Sequence, residues 1–529
     1  MPIADRFNVG SKILGNVNFA MPEKIHFTNN EDAVEIYNRA VQLCAENKGK
    51  YTILIHADID FDGIASAYLI WYDLVRKIGR TSVGVSINIK REHGIKQKFV
   101  ETINNSIASG AQIALTIIVD SSTNELGNVL ALSCDTLVID HHELEIGAHQ
   151  TVGVKPNGYK YAIINKEIDG LADMSGAQVV YEWLRYNGAE QYLLAEKLYS
   201  WVAVSLFSDV IDADNEKNQW FIQETVQKGN FESTLNTLFE SGHAGCAKLK
   251  GDIQFMLVPI INAAIRMGKS TEVLDCVINH PTRLNELAKY KAEQAEKVSN
   301  LLSSAYIGQR LSLYPEVGFY ELLETDDAEG FEGLIATRLQ NLYQRTIFVF
   351  QHADYGIRGS FRVAGKSLNF DLRRLLNEQP SMKASGHRGA FGFEVHKVLQ
   401  NDTPMDLAMR LVNTVSKLNG MYGNTVVADD AIKYVEVKSP AEMRELKRSF
   451  ELVAMANINA RMTSKKAMIK VPNTYQNVSP LDLEGKMLFY DILGQKAVSF
   501  NDINIGSGSV WLYPEIGTYL NVYIDGVRE

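Results

Sequence analysis

The chain has 529 residues, too many for one ordinary core, so two to four domains are expected. Hydrophobic residues at 46% and charged residues at 22% are normal for a globular protein, and a net charge of −10 argues against a large nonspecific nucleic-acid coat while leaving room for a local basic groove. No apolar run reaches the roughly 18 residues that cross a membrane, and the N-terminus lacks a signal peptide's apolar region. Cys44, Cys134, Cys246 and Cys276 form no CxxC pair and no disulfide spacing, so a cytoplasmic setting is expected.

From about residue 32 to 142, helix and strand patterns alternate. Residues 32–47 have helical spacing with Asn30 or Asp32 as cap, 51–55 read as a strand, and 63–78 as a helix. β-branched runs follow at 82–87, 114–119 and 136–139. This alternation predicts a mostly parallel sheet with helices on both faces. Residues 172–188 and 193–209 read as helices completing the domain, and the polar helical stretch 283–308 is long enough to bridge two domains. A second α/β unit follows, with strands near 318–323, 346–351 and 356–363 and a helix over 333–343. Its glycine-rich end is Ser385-Gly386-His387-Arg388-Gly389-Ala390-Phe391-Gly392. From about 426 the pattern is β-rich, at 432–437, 467–471, 486–490, 509–512 and 519–524, with a helical break at 440–455. Short strands with turn signals predict a small barrel or sandwich there.

Two stretches read as halves of one metal site: His56-Ala57-Asp58-Ile59-Asp60-Phe61-Asp62-Gly63 and Asp140-His141-His142. Each follows an apolar β-type run, which places it at the carboxyl end of a strand, where open α/β sheets put their ligands. Side chains of one parity would bring His56, Asp58, Asp60 and Asp62 to one face, and carboxylates that close repel one another unless a cation neutralises them. Oxygen-rich clusters with one or two imidazoles suit Mn²⁺ or Mg²⁺ better than zinc. The competing reading is a loop of helix-capping aspartates, Asp62-Gly63 being a good cap. Asp120, at the end of a strand, and Asp209, at the end of a helix, each read alone as turn or cap residues. Adjacent histidines point in different directions, so one of His141 and His142 can bind metal while the other faces substrate.

The order His-x3-Asp-x-Asp, Asp120, Asp140-His141-His142, Asp209 resembles the DHH phosphoesterase superfamily, and within it the RecJ branch of single-strand-specific exonucleases. That branch's Asp-x-Asp-x-Asp-Gly is matched by Asp58, Asp60, Asp62 and Gly63. Its Pro-Arg-Leu-Asn-Ala-Ala-Gly-Arg signature stands here as Pro259-Ile260-Ile261-Asn262-Ala263-Ala264-Ile265-Arg266. Gly359-Ser360-Phe361-Arg362 and the glycine-rich end match motifs of the DHH-associated substrate domain, and Ser175-Gly176-Ala177 and Gly330-Phe331-Glu332-Gly333 match further landmarks. The resemblance runs collinearly over roughly residues 30–400. Ile260 and Ile265 replace an arginine and a glycine, Ser385 and Phe391 replace small residues, and His56 follows the spacing of the pyrophosphatase and oligonucleotidase branches.

The resemblance implies a parallel-sheet DHH catalytic domain at 1–282, a connecting helix at 283–308, a smaller α/β DHH-associated domain at 309–425 and a β-rich, OB-like module at 426–529. It implies metal ligation by His56, Asp58, Asp60, Asp62, Asp120, His141 and Asp209, and catalytic roles for His142, Asp58 and Asp140. Substrate contacts fall to Asn262, Arg266, Arg358, Ser360, Arg362, Gly386, His387 and Gly389. Arg338, Arg345, Arg373, Arg374 and Arg388 share the second domain, with Arg373 and Arg374 reading as a solvated face. The implied activity is 5′-to-3′ hydrolysis of single-stranded DNA to nucleoside 5′-monophosphates, with two divalent cations, Mn²⁺ before Mg²⁺, in repair or recombination. DNA is favoured over RNA. The rival readings are a short-oligonucleotide or cyclic-dinucleotide phosphodiesterase on the same scaffold, and a non-catalytic nucleic-acid-binding replication scaffold. Trp511, Tyr513, Tyr519 and Tyr523 lie on β-type runs near Arg461, Lys465 and Lys466; they are either core residues or a base-stacking platform, and the module is equally a candidate dock for a replication or repair protein.

Overall fold

The computed structural model describes residues 19–88, 93–144, 150–171, 174–209, 211, 216–242, 253–303, 307, 310–314, 317–323, 330–343, 345–363, 370–387 and 389–422. Further on it describes the backbone of 434–436, 439, 441, 468–471, 481–483, 487–492, 495–499, 509–516 and 520–528. Two compact units meet between Lys291 and Ala292; the first holds 1–291 with 445–462 and 515–521, the second the rest. None of the described helices is long and apolar enough to cross a membrane.

The first unit alternates α1 (Asn30–Glu46), β1 (Thr52–Ala57), α2 (Phe61–Ile78), β2 (Val83–Ile87), α3 (Gln97–Ala108), β3 (Ile113–Val119), α4 (Leu126–Ala131), β4 (Asp135–Asp140), β5 (Val152–Val154) and β6 (Lys160–Asn165). The sheet order is β2-β1-β3-β4-β6-β5, parallel throughout except for the edge pair β5–β6. Burial on both faces explains the near-continuous apolar strands. Ile53, Ile55, Ile117, Leu137 and Ile139 pack with α1 and α2 on one face, while Ile118, Val138 and Ile163 pack with α3 and α4 on the other. Helices α5 (Gly176–Leu184), α6 (Glu190–Ala195), α7 (Tyr199–Ser208), α8 (Glu216–Ile222), α9 (Ser233–Gly242), α10 (Val258–Arg266) and α11 (Ser270–Asn279) complete the unit, and α12 (Leu284–Leu301) carries the unit boundary.

Local chemistry departs from the sequence reading at three points. The cap of α1 is Asn29, not Asn30 or Asp32, and its amide caps nothing: Nδ2 donates to the Ile163 carbonyl at 2.7 Å. The stretch 193–209 is not one unbroken helix, because left-handed backbone at Lys197 (φ 57°) parts α6 from α7, whereas the left-handed Gly188 (φ 93°) lies at the end of the stretch 172–188. The strands β5 and β6 had no predicted counterpart.

The second unit has β7 (Leu311–Leu313), β8 (Val317–Glu321), α13 (Glu332–Tyr343), β9 (Thr346–Ala353), β10 (Gly356–Arg362), α14 (Leu372–Asn377), β11 (Met382–His387), β12 (Ala390–His396) and α15 (Pro404–Tyr422). Its sheet runs β11-β12-β10-β9-β8-β7, with β8–β9 parallel and the other pairs antiparallel. Phe319, Phe348, Phe350, Phe361, Phe391 and Phe393 make one face a core against α14 and α15, while α13 lies on the other face against β9 and β10. The C-terminal strands form a seven-stranded mixed sheet: β13 (Tyr434–Glu436), β14 (Met468–Val471), β15 (Leu481–Leu483), β16 (Met487–Ile492), β17 (Gln495–Ser499), β18 (Ser509–Ile516) and β19 (Leu520–Arg528), in the order β13-β14-β18-β19-β17-β16-β15. Trp511 and Tyr513 lie on β18 and Tyr523 on β19; the expected helical break, Tyr519, Arg461, Lys465 and Lys466 fall outside the described residues.

Candidate functional site

The parallel strands of the first unit deliver a set of acids and imidazoles to their carboxyl ends. After β1 the chain turns into α2 through Asp58-Ile59-Asp60, and it is this turn, not strand parity, that gathers the acids. Asp60 is the N-cap, its Oδ1 accepting from the Gly63 amide at 3.0 Å, so the cap is Asp60 and not the Asp62-Gly63 pair. Gly63 must lack a side chain: a Cβ there would sit 2.6 Å from the Asp58 carbonyl. Asp62, in the first turn of α2, accepts from the Gly176 and Ala177 amides at 2.6 and 2.9 Å, the exposed donors at the start of α5. Asp120 leaves β3 in left-handed backbone (φ 62°), and its Oδ1 fills the space where a Cβ on Gly176 would be. Asp209 ends α7.

Three groups of side-chain atoms lie within metal-sharing distance of one another: Asp58, Asp60 and Asp120; Asp62, His141 and Asp209; and Asp120, His141 and His142. His141 Nδ1 donates to the Met174 carbonyl at 2.7 Å, which turns the Nε2 lone pair on the acids, 3.1 Å from Asp120 Oδ1 and 3.5 Å from Asp209 Oδ2. Asp140 stands apart from these groups. Its carboxylate accepts the amides of His141, His142 and Thr123 and the His142 Nδ1 proton, at 2.7 to 3.2 Å, so its work is to hold two successive histidines in place. His56 is also outside the groups: Nδ1 lies 3.0 Å from Ser86 Oγ, the ring packs on Phe99, and the buried Nε2 has no hydrogen-bond partner.

Electrostatics show how unfavourable this assembly is on its own. Burial, and then Asp62, Asp60 and Asp209, push Asp120 far above the usual carboxylate range; burial, Asp62 and Asp60 do the same to Asp209. Asp60 is raised by burial, Asp58 and Asp62. Asp58 goes the other way: burial works against its charge, but His93 and His142 and the Gly94 amide outweigh it. Burial opposes charge on His142, and Asp140, Asp58 and Asp60 outweigh it, lifting the imidazole to about 9. His141, buried and beside His142, is pushed down to about 4, which keeps it neutral and fit to be a ligand. Burial likewise pushes His56 to about 4. The buried Asp120 Oδ1 has no hydrogen bond despite its short distance to His141, so the geometry leaves it an electron pair to give. A divalent cation fits this donor set of oxygens with one neutral imidazole.

His93 has no counterpart in the sequence reading, yet its Nδ1 lies 2.7 Å from Asp58 Oδ2. It follows β2, as the acids follow β1, β3 and β4, and inspecting every strand end would have found it.

In the second unit, alternation along β10 puts Arg358, Ser360 and Arg362 on one face. Arg362 donates to Thr337 Oγ1 on α13 at 2.9 Å and to Ser360 Oγ at 2.8 Å, and a Cβ on Gly333 would press on its guanidinium. Gly386 turns with φ 122° beside β12, and Gly389 has open space around it. The His387 backbone ends β11; its side chain and Arg388 lie outside the described residues. Arg373 is not part of a solvated face: it is 4% exposed, ion-pairs with Asp371 and donates to the Gly386 carbonyl, bracing the glycine turn from behind. Arg374 is exposed as expected, and Arg345 donates to the Tyr314 carbonyl. Asn262 and Arg266 belong to the first unit, one turn apart on α10; Asn262 Oδ1 accepts from the Phe61 amide at 3.1 Å and so supports the first residue of α2.

An acidic centre at the carboxyl edge of a five-stranded parallel array, with consecutive histidines leaving the fourth strand, defines a DHH-type α/β domain. Residues 50–206 match the DHH family, N-terminal domain. That stretch is a DHH-type domain, and beyond it the chain is similar to RecJ-like proteins. Its relatives include a prophage-derived protein of Bacillus subtilis named as single-strand DNA-specific exonuclease YorK, 26% identical over 448 residues that cover 77% of this chain and 71% of that one. RecJ of Haemophilus influenzae, named as a single-stranded-DNA-specific exonuclease, is 24% identical over 68% of this chain and 66% of its own. Among solved structures, RecJ of Thermus thermophilus in complex with Mn²⁺ superposes with a TM-score of 0.67 at 17% identity, covering all of this chain and 77% of that one. A manganese-bound exonuclease RecJ gives 0.52 at 20% identity, over 77% of this chain and 99% of that one. At these identities the superpositions speak to the fold.

Proposed function

We propose that this chain is a divalent-metal-dependent exonuclease that hydrolyses single-stranded DNA from the 5′ end, releasing nucleoside 5′-monophosphates in DNA repair or recombination within the cytoplasm. The acidic centre carries the reading: five carboxylates converge, and burial with mutual repulsion opposes the charge of three of them, Asp60, Asp120 and Asp209, unless cations neutralise it. Relatives named as single-strand DNA-specific exonucleases support the choice of polymer.

Asp58, Asp60, Asp62, Asp120, His141 and Asp209 would hold two ions, Mn²⁺ before Mg²⁺; Asp120 belongs to two of the three side-chain groups, and His56 stands outside them. Such ions, when bound, polarise the phosphoryl group and neutralise charge that builds up during hydrolysis. Asp140 holds His142 by Nδ1, leaving Nε2 to meet a phosphate oxygen or the leaving group. Arg362, its guanidinium fixed by Thr337 and Ser360, and the amides of the Gly386–Gly389 turn grip neighbouring phosphates, with Arg358 and His387 adding charge.

Single strands of several lengths carrying either end label, incubated with Mn²⁺ or Mg²⁺, test the reading. Labelled mononucleotide should leave the 5′ end first, a duplex should resist, and EDTA should stop the reaction. Cleavage confined to two- or three-nucleotide or cyclic substrates would transfer the reading to a short-oligonucleotide phosphodiesterase. Intact strands with both ions would overturn it.

A further inference from the structure

The second unit's sheet presents one face to its aromatic core, and only part of the opposite face, over β9 and β10, lies under α13. On that opposite face the register of β11, β12 and β10 builds cross-strand rows. Lys383, Glu394 and Arg358 stand opposite one another in one row, and Ser385, Gly392 and Ser360 in the next. Arg362 opens the third row, opposite Ala390. Small residues thus floor a strip with Arg362 on one side and, on the other, Lys383 and Arg358 with Glu394 between them.

The far end of the strip, where Gly356 pairs with His396, carries a feature that phosphate gripping at Arg362 does not use. Tyr355, at the tip of the β9–β10 hairpin and 37% exposed, lies flat against the His396 ring, with centroids 4.7 Å apart and planes 25° apart. Glu394 holds both rings, through the Tyr355 hydroxyl and through His396 Nε2 at 3.2 Å. From Arg362 to Tyr355 is roughly 20–25 Å along the strand, the length of several nucleotides.

Resting on the reading above, we infer that this face is a track for several nucleotides of single strand beyond the phosphates held at Arg362. The strand runs over the Ser360–Gly392 floor, past Arg358 and Lys383, and ends with an unpaired base stacked on the Tyr355–His396 pair. Charge complementarity and the aromatic step favour this occupant: phosphates meet Arg362, Arg358 and Lys383, Glu394 is engaged by the Tyr355 hydroxyl and His396, and any base can stack on the preassembled rings without sequence preference.

The test uses the full chain in EDTA, so that binding is read without hydrolysis, with fluorescein-labelled oligothymidylates of two, four and eight nucleotides and anisotropy as readout. Affinity of the unaltered protein should rise with length. Tyr355→Ala and His396→Ala should flatten that rise, weakening the eight-nucleotide complex by about 5- to 100-fold. Tyr355→Phe, which keeps the stack, should restore most of it. On the unaltered chain, a strand with 5-iodouridine should photocrosslink to Tyr355 or His396. Wild-type affinity of both alanine variants for eight nucleotides, together with crosslinks only elsewhere, overturns the track and leaves the exonuclease reading standing. If the unaltered chain binds no strand of any length, the exonuclease reading falls and the track with it.

Discussion

Asp120 meets two demands at once: it occupies left-handed backbone and it sits among acids that oppose its charge. Asparagine suits left-handed backbone at least as well as aspartate and removes the charge. Asp120→Asn should therefore lower kcat by about 10³-fold or more, while raising the melting temperature in EDTA by about 2–4 °C. A variant that kept its rate would remove Asp120 from the centre. Gly176→Ala makes a complementary prediction, since its Cβ would drive into the Asp120 carboxylate; metal affinity measured by calorimetry should fall by about 10- to 100-fold with the fold retained. Arg362→Ala should raise KM or misplace the scissile phosphate yet leave metal content by mass spectrometry unchanged, because the guanidinium is held by Thr337 and Ser360 within the second unit's own sheet and helix. The acids themselves were legible because spacing and order are preserved in sequence. The supporting groups were not. Gly176 and Ala177 act through backbone amides and Met174 through a carbonyl, and main-chain groups leave no signature in residue type.

Among the elements, the long strands were visible from their apolar runs, and so were the helices flanking them. The short edge strand Val152–Val154 was not, because three residues carry no periodicity, and β6 reads as apolar without a partner to pair with until β4 is in place. Behind these strands lies a polar core group that a sequence does not announce. Lys155 is buried, and its Nζ donates to the carbonyls of Leu132 and Cys134 at 3.2 and 2.7 Å and to Thr136 Oγ1 at 2.7 Å. It ties the segment before β6 to the start of β4. Lys155→Met should cost about 1–3 kcal/mol by leaving those acceptors unsatisfied, read by urea titration. Burial pushes the Lys155 ammonium down to about 8 from its usual value near 10.5. Between those values the unfolded chain binds a proton the folded chain has shed, so stability of the unaltered protein rises across that pH window. The methionine variant should lack this rise; an identical pH profile in both proteins would show that Lys155 keeps its unfolded-state pKa.

At the scale of the molecule, each unit has its own core. Trp201 stacks between Phe61 and Tyr68 in the first, and Phe348 sits among Phe319, Phe350, Phe361 and Phe393 in the second. Calorimetry should resolve two transitions; Trp201→Ala and Phe348→Ala, each costing about 3–5 kcal/mol, should lower different ones. A single transition moved equally by both would mean one cooperative block. The chain passes from one unit to the other within α12, whereas no periodic signal told which strands would share a sheet. The way the centre is drawn from the chain has a further consequence, for synthesis. Its side chains come from positions 58 to 209, after three different strands and one helix. A chain emerging from the ribosome therefore exposes three closely spaced aspartates long before Asp120, His141 or Asp209 exists. Those early acids are at their most hydrated then, with only one another as charged neighbours from the centre. A cation that needs Asp120, His141 and Asp209 as ligands cannot template the sheet, because those side chains come together only once α7 has docked; a protein made in metal-poor medium should therefore be folded and able to take up Mn²⁺ afterwards, read by circular dichroism before and after the ion is added.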